Sequence, residues 1–163
     1  MATPEPKRLL NTDLICLAAI ELQLRGRQRD EVLVELVARI PEMADRPEAR
    51  EILLRALRER EQLHSTGIGD GVAVPHARNA VVGLVEKPVI VFGRHDEGIA
   101  YGAIDGQPAK LFFLLVTITV AQHLAVLARI SRLVRDSKLR QYLTTADRPE
   151  TILALIREAE AKL

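Results

Sequence analysis

The sequence is poor in aromatic residues and has almost no cysteine. Aromatic residues make up 3% of the 163 positions and tryptophan is absent, so few side chains are available to stack on nucleic-acid bases. The single cysteine, Cys16, excludes an internal disulfide framework and a thiolate zinc site, and its apolar neighbours predict a buried, unreactive thiol. The net charge is +1 with acids and bases interspersed, which gives no reason to expect a nucleic acid or an anionic membrane as partner.

Long apolar runs are missing as well. No run approaches the roughly 18 residues of a membrane-spanning helix, and the amino end does not follow the pattern of a signal peptide. We therefore expect a cytoplasmic protein without direct membrane insertion. Hydrophobic residues make up 48% of the chain, enough for one domain with an aliphatic core. Residues 1–8 are polar with two prolines and are predicted to be a flexible tail, followed by a single domain over residues 9–163.

Helical and strand patterns alternate along the chain. Continuous apolar runs at 87–92 and 110–117 are typical of central strands that are covered on both faces, and a shorter strand is predicted at 20–24. These patterns together predict an α/β domain with a central sheet. Helices are predicted at 30–40, at 47–61 with Asp45 and Glu48 as a capping box, and after Thr119 with Gln122 as a second box. A short helical turn is predicted at 138–143, and a last helix begins near Asp147 as its cap, with Pro149 in the first turn.

The most informative stretch is residues 65–76, which read S-T-G-I-G-D-G-V-A-V-P-H. Three alternating glycines allow positive φ angles and close approach of the backbone. They are followed by a short apolar strand, which Pro75 ends because proline lacks the N–H that a sheet requires. His76 comes directly after this strand, where a side chain is held by a rigid scaffold and stays accessible to solvent.

Two further residues could act with His76. Arg60 continues the apolar face of the helix at 47–61, so its guanidinium either pairs with an anion or extends from the last turn toward water. His123 is predicted in the first turn of the helix that opens after Thr119, where unpaired N–H groups and the helix dipole favour an anion.

Several common chemistries do not fit the sequence. The four histidines form no His-x-x-x-His pair, and no metal site is expected. The glycine spacing is G-x-G-x-G with a strand after it, unlike a dinucleotide-binding turn, and no Gly-Lys-Ser/Thr of a phosphate-binding loop follows. No cofactor is implied.

The remaining chemistry is phosphoryl transfer through histidine. A neutral imidazole, with an ordinary pKa of about 6.5, can attack phosphorus without a separate base. Arg60 would offer a bidentate fork and His123 a ring N–H. Further donors would come from the loop, with Thr66, Gly67 and Gly69 as binding residues. Taken alone, a histidine after proline at a strand end is more often an ordinary surface or hydrogen-bonded residue.

A family resemblance favours the phosphoryl interpretation. Arg60-Glu61, the S-T-G-I-G-x-G segment and the A-V-P-H ending resemble the fructose/mannitol-type enzyme IIA domains of the phosphoenolpyruvate-dependent phosphotransferase system, including the nitrogen-regulatory subgroup. The segments 104–108 and 122–124 are similar to further parts of that family, and the similarity covers roughly residues 10–160. Two positions depart from the pattern: Ala77 replaces a common glycine, and residues 117–121 lack the usual proline-bearing loop.

The resemblance implies a central mixed β-sheet flanked by helices on both faces. It implies that His76 accepts a phosphoryl group from the histidine-containing phosphocarrier protein, and that Arg60 and His123 stabilise the phosphorylated state. A regulatory enzyme IIA of the nitrogen type is favoured, with an IIB domain or a regulatory target protein as the next partner. The alternatives are a sugar-specific IIA subunit that passes phosphate to a separate IIB protein, and a binding module that docks a protein or an anion without phosphorylation.

Overall fold

One mixed sheet forms the centre of the computed structural model, which describes residues 14–77 and 83–163. Its described strands are β1 (Ile20–Glu21), β2 (Gly67–Gly69), β3 (Val72–Ala73), β4 (Val89–Ile99) and β5 (Ala109–Val116). They lie in the order β1-β4-β5-β3-β2. The β1/β4 and β3/β5 pairs are parallel, and the β4/β5 and β2/β3 pairs are antiparallel.

Helices cover both faces of the sheet, which confirms the predicted α/β class. Alternate residues of β5 point to opposite faces, as the two-residue period of a strand requires. Phe112 and Leu114 join the core cluster formed with the first two helices, whereas Phe113 and Leu115 join the cluster formed with the last three. The described α-helices are α1 (Arg29–Val37), α2 (Pro47–Leu63), α3 (Val120–Leu133), α4 (Ser137–Thr145) and α5 (Pro149–Ala161), with 3-10 turns at Leu17–Ala19 and Pro41–Met43.

Two of the predicted helix caps are wrong. The N-cap of α2 is Arg46 instead of Asp45, and the N-cap of α5 is Arg148 instead of Asp147; neither makes a side-chain capping bond. In both helices a proline occupies the first helical position, where its fixed φ and missing N–H are favourable. The residue directly before the proline therefore becomes the cap. The predicted N-cap at Thr119 is confirmed, because the Thr119 hydroxyl accepts a hydrogen bond from the Gln122 N–H at 3.1 Å. The reciprocal bond of the predicted box is displaced by one residue, since the Gln122 side chain accepts from the Ile118 N–H at 3.1 Å.

The strand lengths differ from the apolar pattern. β1 has two residues where five were predicted, and β4 continues to Ile99, well past the apolar run. The continuation is possible because the polar side chains in it have partners. The Arg94 guanidinium donates to the backbone carbonyls of Leu143 and Ala146, and the buried His95 ring bonds the Gly26 carbonyl at 2.9 Å.

The amino-terminal segment also corrects one expectation. Cys16 is exposed, because Ile15 and Ala19 take the buried positions of this segment. The predicted tail, residues 1–8, lies outside the described residues. Among those that are described, no helix has the length and apolar character needed to span a bilayer.

Candidate functional site

His76 and His123 meet where two parallel strands end. Beyond β3 the chain stays beside β5: the Pro75 carbonyl accepts a hydrogen bond from the Leu115 N–H at 2.9 Å, and His76 forms an isolated parallel bridge with Leu115. β5 ends one residue later, and the loop after it leads into α3 and its first-turn His123. The two imidazole centroids lie 5.0 Å apart, with the rings tilted by 52°. The departure from the family loop at residues 117–121 therefore still leaves the second ring beside the first.

The backbone fixes the protonation of the His76 ring. Nδ1 lies 2.6 Å from the carbonyl oxygen of Val74. A carbonyl oxygen can only accept, so Nδ1 carries the proton and the neutral ring keeps its lone pair on Nε2. No described residue bonds Nε2. The half-buried ring thus turns a nucleophilic nitrogen away from the strand that holds it.

Burial and charge keep the His76 ring neutral. Its pKa is lowered chiefly by burial, and the nearby positive charge of Arg60 lowers it further. The bond to the Val74 carbonyl and the negative charge of Glu61 act in the opposite direction without overcoming the effect of burial. A neutral ring at neutral pH is the form that can attack an electrophile.

His123 is held in the first turn of α3. Its backbone N–H donates to the Thr119 carbonyl at 3.0 Å, and the Nδ1 of its ring lies 3.2 Å from the hydroxyl oxygen of Thr117. Burial is the main cause of the lowered pKa of this ring, with smaller contributions from His76 and the charge of Arg60.

Arg60 stands at the carboxyl end of α2 and is partly exposed. One of its guanidinium N–H groups donates to the His64 carbonyl at 2.6 Å, which satisfies a carbonyl at the end of the helix. Its charge lowers the pKa of both histidine rings, so the cation lies within electrostatic reach of the two imidazoles. The guanidinium has further N–H groups that an anion could use.

A buried carboxylate connects α2 to the site. Glu61 is 4% exposed and accepts hydrogen bonds from the Thr66 N–H at 3.1 Å, from the Thr66 hydroxyl, and from the Tyr101 hydroxyl at 2.9 Å. The Thr66 carbonyl in turn accepts from the Val74 N–H at 3.0 Å. Since the carbonyl of Val74 holds His76, Glu61 is joined to the histidine through one strand pair. Sequence reasoning missed this role, although Glu61 follows Arg60 directly.

The glycine turn lies at the other end of this strand pair. Gly67 is opposite Ala73 and Gly69 is opposite Val72, so the turn that follows Gly69 is five residues of nearly extended chain from His76, about 16 Å at about 3.3 Å per residue. Positive φ at Gly69 forms this turn. The structure therefore places His76 beside His123, with the charge of Arg60 acting on both rings, whereas Gly69 lies toward the opposite end of the strand pair.

Two of the predicted donor residues are already engaged in bonds within the fold. The Gly67 N–H donates to the Ser65 hydroxyl at 3.0 Å, and Thr66 is buried with both its N–H and its hydroxyl on Glu61. Their geometry fits a support for the strand pair better than direct contact with an anion.

Comparisons with known proteins agree in naming one family. The family described as "Phosphoenolpyruvate-dependent sugar phosphotransferase system, EIIA 2" matches residues 14–159. The "PTS system fructose-specific EIIABC component" of Bacillus subtilis (strain 168) is 34% identical over 149 residues; the match covers 90% of this chain and only 23% of that relative. The "Nitrogen regulatory protein" of Bradyrhizobium diazoefficiens is 34% identical over 147 residues, covering 89% of this chain and 93% of the relative.

A solved structure supports the same assignment. The crystal structure of the nitrogen regulatory protein IIA-Ntr from Neisseria meningitidis superimposes with a TM-score of 0.77 at 27% identity. The superposition covers 89% of this chain and 97% of that chain.

Proposed function

The chain belongs to the EIIA 2 family of the phosphoenolpyruvate-dependent sugar phosphotransferase system, and we propose that it is a phosphoryl carrier whose acceptor is Nε2 of His76. The observation that carries the proposal is the 2.6 Å bond from Nδ1 to the Val74 carbonyl. It leaves the lone pair on the nitrogen that no described residue bonds, beside a second imidazole and under the influence of the Arg60 charge.

The proposed step is a direct transfer between two histidines. The donor is the phosphohistidine of the histidine-containing phosphocarrier protein. The His76 Nε2 lone pair forms the new N–P bond while the donor's N–P bond breaks and its electron pair returns to the donor imidazole. No oxidant, metal or additional reactant is needed for this balance.

Arg60 and His123 would stabilise the transferred group. Negative charge spreads over the three outer oxygens of a phosphoryl group in transfer, and fixed positive donors around them lower the barrier. Arg60 supplies charge and N–H donors, and His123 supplies a ring N–H at a centroid separation of 5.0 Å. Thr66 contributes through Glu61 and the strand pair, and the step does not require the amides of Gly67 and Gly69.

A regulatory role of the nitrogen type in the cytoplasm is the favoured function within this family. The supporting observations are the Bradyrhizobium nitrogen regulatory protein at 34% identity and the Neisseria IIA-Ntr structure at a TM-score of 0.77. The Bacillus fructose-specific relative at equal identity favours a second candidate, a sugar-specific IIA subunit that passes its phosphoryl group to a separate IIB protein. The third candidate is a binding module that keeps the fold and is never phosphorylated.

Intact mass separates the carrier from the binding module. The protein is incubated with phosphoenolpyruvate, enzyme I and the phosphocarrier protein, and the carrier predicts an acid-labile gain of one phosphoryl group. His76→Ala should gain none, whereas His64→Ala, which removes an exposed histidine near the site, should behave as the wild type does. If the wild type gains nothing, the proposal is wrong. Adding a fructose-type IIB protein to the phosphorylated chain then tests the sugar-specific candidate, which predicts rapid loss of the phosphoryl group to it.

A further inference from the structure

Thr117 is a buried hydroxyl residue beside the second imidazole. It is the first residue after β5, is 2% exposed, and places its hydroxyl oxygen 3.2 Å from Nδ1 of His123. No other described residue shares this hydroxyl. The contact therefore joins the end of the central strand directly to one ring of the site.

The backbone around this contact is braced on both sides. The side-chain oxygen of Gln122 accepts from the Ile118 N–H at 3.1 Å, and the N–H of Gln122 donates to the Thr119 hydroxyl at 3.1 Å. Gln122, the residue before His123, is thus bonded to Ile118, the residue after Thr117, and to Thr119. This arrangement fixes the distance between the threonine and the ring.

A hydroxyl in this position can select how the ring carries its proton. A neutral imidazole has one N–H and one lone pair. When the Thr117 hydroxyl donates to Nδ1, the ring proton of His123 must be on Nε2. When the hydroxyl accepts from Nδ1, the ring proton is on Nδ1 and Nε2 keeps the lone pair. Only the first form offers a donor to an anion on the outer side of the ring.

We propose that Thr117 is a positioning residue that holds His123 with its proton on Nε2, directed at the group that His76 carries. The two rings are then complementary. The Val74 carbonyl keeps the lone pair of His76 on Nε2, and the Thr117 hydroxyl keeps a proton on Nε2 of His123. The inference rests on the proposed function for its purpose, but the protonation of the ring can be measured without any phosphoryl group.

The test compares Thr117→Val with Thr117→Ser. Valine is nearly isosteric and lacks the hydroxyl, whereas serine keeps it. Long-range ¹⁵N–¹H NMR spectra are recorded on the unphosphorylated protein well above the ordinary histidine pKa of about 6.5. We expect the wild type and Thr117→Ser to show His123 with its proton on Nε2. In Thr117→Val we expect the ratio of the form protonated on Nε2 to the form protonated on Nδ1 to fall roughly fivefold, the effect of losing one ordinary hydrogen bond.

The second readout is the lifetime of phosphorylated His76. It should be shortened roughly fivefold in Thr117→Val and unchanged in Thr117→Ser, because the lost donor acts on the phosphorylated state. Thermal unfolding of each variant shows that the fold is kept, and Thr117→Ala takes the place of the valine variant if that one does not fold. A wild-type ring protonated on Nδ1, or a valine variant equal to the wild type in both readouts, would overturn the inference. If the wild type accepts no phosphoryl group, the proposed function fails while the NMR comparison still decides the role of Thr117.

Discussion

At the scale of single residues, the site depends on a histidine that stays neutral. Burial and the charge of Arg60 both disfavour the imidazolium form of His76, and the Val74 carbonyl determines which nitrogen keeps the proton. The same guanidinium that would stabilise a phosphoryl group thus also keeps the acceptor in its reactive form before transfer.

Removing the charge of Arg60 should raise the pKa of both rings. Because the positive charge lowers the pKa of His76 and of His123, Arg60→Gln is expected to move both NMR titration midpoints to higher pH. The rate of phosphoryl acceptance needs neutral His76, so its decline on acidification should begin at higher pH in the variant. Arg55→Gln, which removes an exposed arginine of the same helix, should leave both midpoints in place.

The same variant separates two interpretations of Arg60. If the residue serves mainly to bond the His64 carbonyl and extend to water, Arg60→Gln should lower the melting temperature and the activity in proportion. A large loss of transfer rate with a small loss of stability supports the role at the anion. Unchanged midpoints for both histidines would contradict the electrostatic account.

At the scale of secondary structure, Glu61 is the junction between α2 and the strand pair that holds His76. Glu61→Ala should destabilise the protein by about 3 kcal/mol, because the buried N–H of Thr66 and the hydroxyl of Tyr101 lose a charged acceptor. Urea unfolding measures this change. Glu59→Ala, at an exposed position of the same helix, should change the free energy of unfolding by less than about 0.5 kcal/mol. Equal effects of the two substitutions would show that the buried network does not support the fold.

Periodicity predicted the existence and type of most elements, and local rules failed where distant contacts decide. The apolar run of β4 ends at Phe92, but the strand continues because Arg94 reaches carbonyls about 50 residues later in the chain. That pairing has no local signal. The caps of α2 and α5 were predictable in principle, since the proline at the first helical position determines which residue precedes the helix.

At the scale of the whole molecule, one tight contact joins the sheet to the helices on one face. A Cβ added at Gly93 in β4 would lie 2.6 Å from Cδ2 of Leu36 in α1 and 2.8 Å from Cδ1 of Leu24. Gly93→Ala should therefore destabilise the protein by about 1–3 kcal/mol through overpacking. Phosphoryl acceptance below the melting temperature should be retained, since the site lies at the end of β3 and β5.

A second substitution tests whether the crowding is the cause. Leu36→Ala alone should destabilise the protein by leaving a cavity. Combined with Gly93→Ala it should cost less than the sum of the two single changes, because each relieves the other. Additive changes in the free energy of unfolding would show that crowding against Leu36 is not the cause of the Gly93→Ala effect.

Two of the residues that the sequence analysis singled out, His76 and His123, lie side by side in the fold, and topology decides where the others lie. The sequence singles out His76 because it follows a strand and His123 because it lies in the first turn of a helix. It singles out Arg60 because it continues the apolar face of a helix. Gly69 belongs to the amide-rich loop that the sequence predicts as a source of donors, but the antiparallel pairing of β2 and β3 places it opposite Val72, toward the end remote from His76. Thr117 and Glu61 were missed because their roles depend on partners that only the folded chain brings near.

The most direct test of the account is the position of the phosphoryl group on the His76 ring. The ¹⁵N-labelled protein is phosphorylated through enzyme I and the phosphocarrier protein, and the ¹⁵N–³¹P coupling identifies the bonded nitrogen. Because the Val74 carbonyl holds Nδ1, we expect the phosphoryl group on Nε2 of His76, with Nδ1 still protonated. A phosphoryl group on Nδ1, or on any other residue, would contradict the account.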